Sequence, residues 1–156
     1  MAVMTHETSI VADPKVPLIR ITREFDAPRE KVFRAHADPE LLVQWLGPRR
    51  LTTEIDHFDC RTGGSYRYVQ SGGHGFHGSF HEVRPSELIV QTFTYEGYPD
   101  GVALERLVLE DIGKDRTRLT VTALVDSFEE RDMILASGME EGVVQGYEQL
   151  DELLAR

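Results

Sequence analysis

Ser65-Tyr66-Arg67-Tyr68-Val69-Gln70, then Ser71-Gly72-Gly73-His74-Gly75, then Phe76-His77-Gly78-Ser79-Phe80-His81-Glu82-Val83 is the stretch that decides the fold. Two runs rich in aromatic and β-branched residues flank a glycine-rich break too short to hold a helix, which predicts an antiparallel hairpin. The same grammar extends both ways from it. Gly63-Gly64, Pro85-Ser86, Pro99-Asp100-Gly101 and Gly113-Lys114-Asp115 punctuate the chain between Leu51 and Val125. Between these breaks lie Thr52 to Cys60, Ser65 to Gln70, Phe76 to Val83, Leu88 to Tyr95, Val102 to Ile112 and Arg116 to Val125. They predict six strands in a meander.

Upstream, Ile19 and Ile21 alternate with Arg20 and Thr22 in Leu18 to Phe25, the pattern of a half-buried strand and the seventh of the set. Asp26-Ala27-Pro28 starts a short helix carrying Val32, Phe33 and His36. Asp38-Pro39-Glu40 starts another, with a capping aspartate, a proline at the first helical position and an acid at the positive end of the dipole. Leu41, Leu42, Trp45 and Leu46 give it an apolar face, and Gly47-Pro48 stops it. Downstream, Ser127-x-x-Glu130 and Ser137-x-x-Glu140 have the capping-box spacing. They predict a short helix near Phe128 to Ala136 and a long one from about Gly138 to Ala155. Met139, Val143, Gly146, Tyr147, Leu150 and Leu154 form one apolar stripe on the long helix. Such a stripe needs a concave partner, so the chain is expected to be α+β, a seven-stranded antiparallel sheet curved around its C-terminal helix. Where the helix does not fill the curve, a pocket follows.

At 156 residues, with 40% hydrophobic and 28% charged, the chain has the bulk of one folded domain. Residues 1–17 mix polar residues and prolines without period and are expected to be a flexible leader, leaving 18–156 as a single domain. A formal charge of −10 with no basic run beyond Arg49-Arg50 argues against nucleic acid and anionic membrane as partners. One cysteine, Cys60, and no run of membrane-spanning length or signal-peptide character point to a cytoplasmic protein.

Five groups of residues also carry a family resemblance. They are Phe25-Asp26-Ala27-Pro28 with Val32-Phe33 and Asp38-Pro39-Glu40-Leu41 through Trp45; Asp59-x-x-x-Gly63-Gly64-x-Tyr66; Gly78-x-x-x-Glu82-Val83-x-Pro85-x-x-x-Leu88-Ile89; Gly138-Met139-x-x-Gly142; and Leu150-Asp151-x-Leu153-Leu154. Together they resemble the activator of heat-shock-protein-90 ATPase homologue (AHSA-like) family of the START-like, or SRPBCC, superfamily, from about Ile19 to Ala155. The resemblance implies a helix-grip fold with a hydrophobic cavity between sheet and C-terminal helix. It also implies a choice of functions, since the superfamily includes lipid carriers, receptors, polyketide cyclases and chaperone co-factors. Many relatives carry tryptophan where this chain has Val143, which implies a larger or more open cavity here.

The leading expectation is binding of a small hydrophobic molecule, with Trp45, Tyr66, Tyr68, Phe76, Phe80, Phe93, Met139, Val143 and Tyr147 as the cavity wall. His77, His81, Gln91 and Arg106 are candidate polar groups within it. Arg67 and Glu105 share that strand environment, and register alone decides which of the six turn inward. The alternatives are a co-chaperone that binds a heat-shock-protein-90 chaperone, with the acidic surface as its contact, and a cyclase- or aromatase-like enzyme. A homodimer is compatible with either. No catalytic residue, cofactor or metal is assigned. The histidines lack a third or fourth ligand at metal spacing, Cys60 lacks an adjacent base, and Gly72-Gly73-His74-Gly75 lacks the lysine and helix of a phosphate loop.

Overall fold

The pleat of the strand at Leu18–Phe25 turns Ile19, Ile21, Arg23 and Phe25 to one side, where all four are buried. In the computed structural model, which describes residues 6–156, this strand (β2) lies second in one eight-stranded sheet. The elements are β1 (Ser9–Ala12), β2, α1 (Arg29–Ala37), α2 (Pro39–Leu42), β3 (Thr53–Phe58), β4 (Ser65–Gln70), β5 (His74–Arg84), β6 (Leu88–Tyr95), β7 (Ala103–Gly113), β8 (Arg116–Leu124), α3 (Phe128–Ala136) and α4 (Met139–Leu154). The strand order is β1-β2-β8-β7-β6-β5-β4-β3, antiparallel throughout.

Eight strands stand where the sequence predicts seven. The extra one comes from the segment read as a loose leader; Met1 to Thr5 of that segment lie outside the described residues. Ile10 and Ala12 pair with Ile21 and Ile19. The rest of the segment forms a tight link from β1 to β2, with the Asp13 amide donating to the Leu18 carbonyl at 2.9 Å. Asp13 Oδ1 accepts hydrogen bonds from the backbone of Lys15 and Val16 at 2.8 and 3.1 Å, an Asx turn. Arg131 of α3 then donates to the Asp13 and Val16 carbonyls, pinning the link to the body of the fold.

Ser127 caps α3 as its motif predicts, accepting from the Glu130 amide at 3.0 Å. The reciprocal arm shifts by one residue, because Glu130 accepts from the Asp126 amide. The second capping box does not form. Ser137 ends α3, donating to the Ile134 carbonyl, and Gly138 begins α4 with φ +90°. A left-handed residue is needed to turn the chain there, and glycine adopts it without a Cβ clash.

Helix α4 lays its stripe across the concave side of the sheet. Tyr147, Leu150 and Leu154 join Ile19, Ile21, Phe25, Leu109, Leu119 and Val121, with Val32 of α1 and Trp45 from the turn after α2, in the main core. Gly146 lets the helix backbone approach Trp45 and Gly47, with space for a Cβ of only 3.3 Å to the Trp45 carbonyl oxygen. Gln149 ties the same join by donating to the Trp45 and Gly47 carbonyls. Arg23, 2% exposed on the inner face of β2, makes a two-pronged ion pair with Asp151 of α4, at 3.1 and 2.6 Å. A second buried cluster, Tyr66, Tyr68, Phe80 and Ile89, sits under β3 to β6. Part-buried residues, among them Phe33, Leu46, Ile55, Phe58 and Leu107, join the two clusters.

Candidate functional site

Strand register places one row of inward side chains across the middle of the sheet. Ile19 of β2 pairs with Ala123 of β8, Ala123 with Glu105 of β7, Glu105 with Gln91 of β6, and Gln91 with Phe80 of β5. A carboxyl and an amide thus stand between a methyl group and an aromatic ring, on the face the sheet turns toward α4. Gln91 Nε2 donates to Glu105 Oε1 at 2.8 Å. Apolar surroundings disfavour the charged carboxylate, and the Gln91 bond offsets this in part, so the Glu105 pKa rises from 4.5 to about 7. The residue is nevertheless part-buried, in contact with solvent at one side. It is an acid poised near neutrality.

Three tyrosines feel that carboxylate. Burial first, then the Glu105 charge, raises the pKa of Tyr66, Tyr68 and Tyr147, and all three stay protonated. Tyr66 is committed to structure. Its hydroxyl donates to the Thr92 carbonyl at 2.7 Å, reaching across Gly78, where any Cβ would overlap the Thr92 oxygen. Tyr68 and Tyr147 make no hydrogen bond through their hydroxyls among the described residues, so two phenol donors remain near the acid.

The apolar residues expected in the wall divide into two groups. Trp45, Tyr66, Tyr68, Phe80 and Tyr147 are buried and pack as core, with Tyr68 and Tyr147 keeping 7% and 8% of their surface exposed. Trp45 donates to the Ala35 carbonyl, stacks on Tyr147 and takes the His36 ring edge-on. Phe76, Phe93, Met139 and Val143 share the inner side but are part-buried, as are Gln91 and Glu105. Incomplete cover on inward residues means the concave face is open to solvent near β5 to β7 and the start of α4.

Of the four polar candidates, Gln91 faces inward and three do not. Phe76 and Phe80 claim the inner face of β5, so the pleat turns His77 outward, where it is exposed and hydrogen-bonded to Glu96 at 2.9 Å. His81 is exposed at the bulge between Phe80 and Glu82, and Arg106 is exposed opposite Glu105 in the alternation of β7. Arg67 also points out. It grips Glu96 with two 2.9 Å bonds, which, with His77, hold the Glu96 carboxyl down to about 2.

Among the described residues the concave face is part-covered at Phe76, Gln91, Phe93, Glu105, Met139 and Val143. Two surface clefts of about 400 and 380 Å³ open elsewhere, one beside Pro28, Arg29 and Asp111, the other beside Thr8, Thr22 and Arg118. Burial, helped by the Asp59 charge, pushes the Cys60 thiol up to about 11, which disfavours a reactive thiolate. Among the described residues no three His, Cys, Asp or Glu side chains gather as a metal site, and no helix is long and apolar enough to cross a membrane.

Residues 26–155 match the family described as "Activator of Hsp90 ATPase homolog 1-like protein". No curated protein matches the chain. Among solved structures, protein Ms6760 from Mycobacterium smegmatis is 23% identical with a TM-score of 0.86, covering 95% of this chain and 97% of that one. A protein from Rhodobacter sphaeroides is 27% identical with a TM-score of 0.84, covering 96% of this chain and 98% of its own. DynU16, described as a putative protein in the dynemicin biosynthetic locus, is 22% identical with a TM-score of 0.69, covering 86% of this chain and 47% of that one. The first and third likenesses concern the fold alone.

Proposed function

The chain belongs to the activator of Hsp90 ATPase homolog 1-like family, and from that footing we propose that it binds a small, largely apolar, uncharged molecule on the concave face between α4 and strands β4 to β7. One observation carries this reading. The Glu105–Gln91 pair sits inward among tyrosines, beside inward apolar residues that the protein itself leaves part-covered. A polar pair in apolar surroundings weakens the core unless it is used, since burying such groups costs free energy that one hydrogen bond only partly offsets. A bound molecule would cover Phe76, Phe93, Met139 and Val143, contributing about 25 cal/mol per Å² of apolar area. Glu105 and Gln91 would orient it. An anionic ligand is disfavoured, because it would meet a group that ionises near neutrality.

The test uses N-phenyl-1-naphthylamine, a neutral dye that brightens in apolar surroundings. Saturable emission together with a rise in melting temperature is the expected result. Val143→Trp should cut uptake at least roughly tenfold by filling the open end, with melting of the free protein little changed. Dye emission and melting temperature that stay flat up to the solubility limit would sink the reading.

A further inference from the structure

The concave face holds a carboxyl, two unengaged phenols and an apolar floor, a set with a chemical use beyond binding. We propose that Glu105 is a proton-transfer group that enolises an apolar carbonyl compound lying on this face, with the hydroxyls of Tyr147 and Tyr68 as hydrogen-bond donors to its oxygen. The proposal rests on the binding reading above and deepens it by naming the substrate class.

The step balances without any co-reactant. Ionised Glu105 takes a proton from the carbon next to the carbonyl; the C–H bond breaks and an O–H bond forms on the carboxyl. The electron pair left behind becomes the carbon–carbon double bond of the enolate, and the carbonyl π pair moves to oxygen. A phenol hydrogen bond stabilises that oxygen more strongly as its charge grows. Return of the proton, to the same carbon or to a conjugated one, completes an exchange or an isomerisation.

Four features of the site fit this chemistry. The Glu105 carboxyl holds one bond, from Gln91, and its other oxygen accepts none among the described residues. Its neighbours in the row, Ala123 and Gln91, carry no charge, and no charged side chain sets its protonation; burial does. The charged groups of the inner face are otherwise spent. Arg23 of β2, which acts on Tyr147, is paired with Asp151 of α4, and His36 of α1 is held neutral by burial behind Trp45. The part-exposure of Glu105 lets its proton exchange with water between turnovers. A base that titrates near the working pH is the effective one for general acid–base catalysis.

The experiment follows deuterium entry into 2-tetralone by proton NMR in D2O, with the dye assay in parallel. Wild-type protein should speed exchange at least about 100-fold over buffer. The rate should rise with pH to a plateau with its midpoint near 7. Glu105→Gln, nearly isosteric and still able to bond Gln91, should fall to the buffer rate while its melting temperature at pH 8 stays at or above that of wild type. Tyr147→Phe should lower the plateau roughly tenfold and leave the midpoint in place. Dye uptake with exchange at the buffer rate, or exchange that survives in Glu105→Gln, overturns the proposal and leaves binding intact. Loss of both dye uptake and exchange in the wild type overturns binding, and the proton-transfer role with it.

Discussion

A carboxyl with a raised pKa takes stability from the fold as pH rises. Unfolded, Glu105 gives up its proton around 4.5; folded, it keeps it to about 7. Below the lower value both states are protonated and the residue is neutral to stability. Between the two the unfolded chain holds fewer protons, so stability falls with rising pH, and the loss is complete above about 7. Glu105→Gln removes this slope and should be more stable than wild type at pH 8 by on the order of 2 kcal/mol, with little difference at pH 4. Urea midpoints at the two pH values check it. The guanidinium of Arg23, 1% exposed, makes the opposite case. Asp151→Asn strips its counter-charge and should cost about 3 kcal/mol, whereas a loss below 1 kcal/mol would mean that the pair is not what anchors α4 here. Arg23 was not legible as a site, and Glu105 only as one of six strand polar residues that could turn inward. On β7 both parities carry apolar side chains, Ala103, Leu107 and Leu109 on one and Leu104 and Val108 on the other, so alternation did not say whether Glu105 or Arg106 turned inward. Leu104 proves 47% exposed, and Glu105 takes the inner face. On β5 the signal was present, since Phe76 and Phe80 on the inside force His77 out.

At the scale of elements, turn chemistry separates two serines that look alike in sequence. Ser127→Ala should cost about 1 kcal/mol by leaving the Glu130 amide uncapped, while Ser137→Ala should cost little, because Ser137 ends a helix rather than starting one. Chemical denaturation of the two variants reads the difference. Gly78→Ala should be the more damaging change by a wide margin, for its methyl group would overlap the Thr92 carbonyl that Tyr66 uses. Strand and helix bounds were largely readable, with β4, β6 and α3 falling where alternation, breakers and a cap placed them. β1 was not. Four residues between polar and proline-rich neighbours give too short a period to register, and their structure comes from pairing with Ile19 and Ile21 and from the reach of Arg131.

Over the whole molecule, an antiparallel sheet curved around the C-terminal helix followed from the order of elements and the helix-grip fold from the family resemblance, but the degree to which α4 fills the curve followed from neither. That depends on side-chain volumes meeting across elements, which no single stretch encodes. Of the aromatic residues expected as a wall, Trp45, Tyr66, Tyr68, Phe80 and Tyr147 fill two buried clusters, while Phe76 and Phe93 stay part-buried. Hydrogen exchange should follow the sheet order. Amides of β2, β7 and β8, bonded on both sides and backed by the main core, should be the slowest, and those of edge strands β1 and β3 should exchange faster by at least about tenfold. The pairing of Ile21 with Val121 joins segments lying far apart in the chain, whereas β3 to β8 each pair with their neighbours in sequence. During synthesis β2 therefore emerges early with its apolar side unsatisfied, and must wait until β8 has left the ribosome before it can dock. The growing chain's exposure to aggregation is set by that wait, and a pause in translation just upstream of Arg116 would lengthen it.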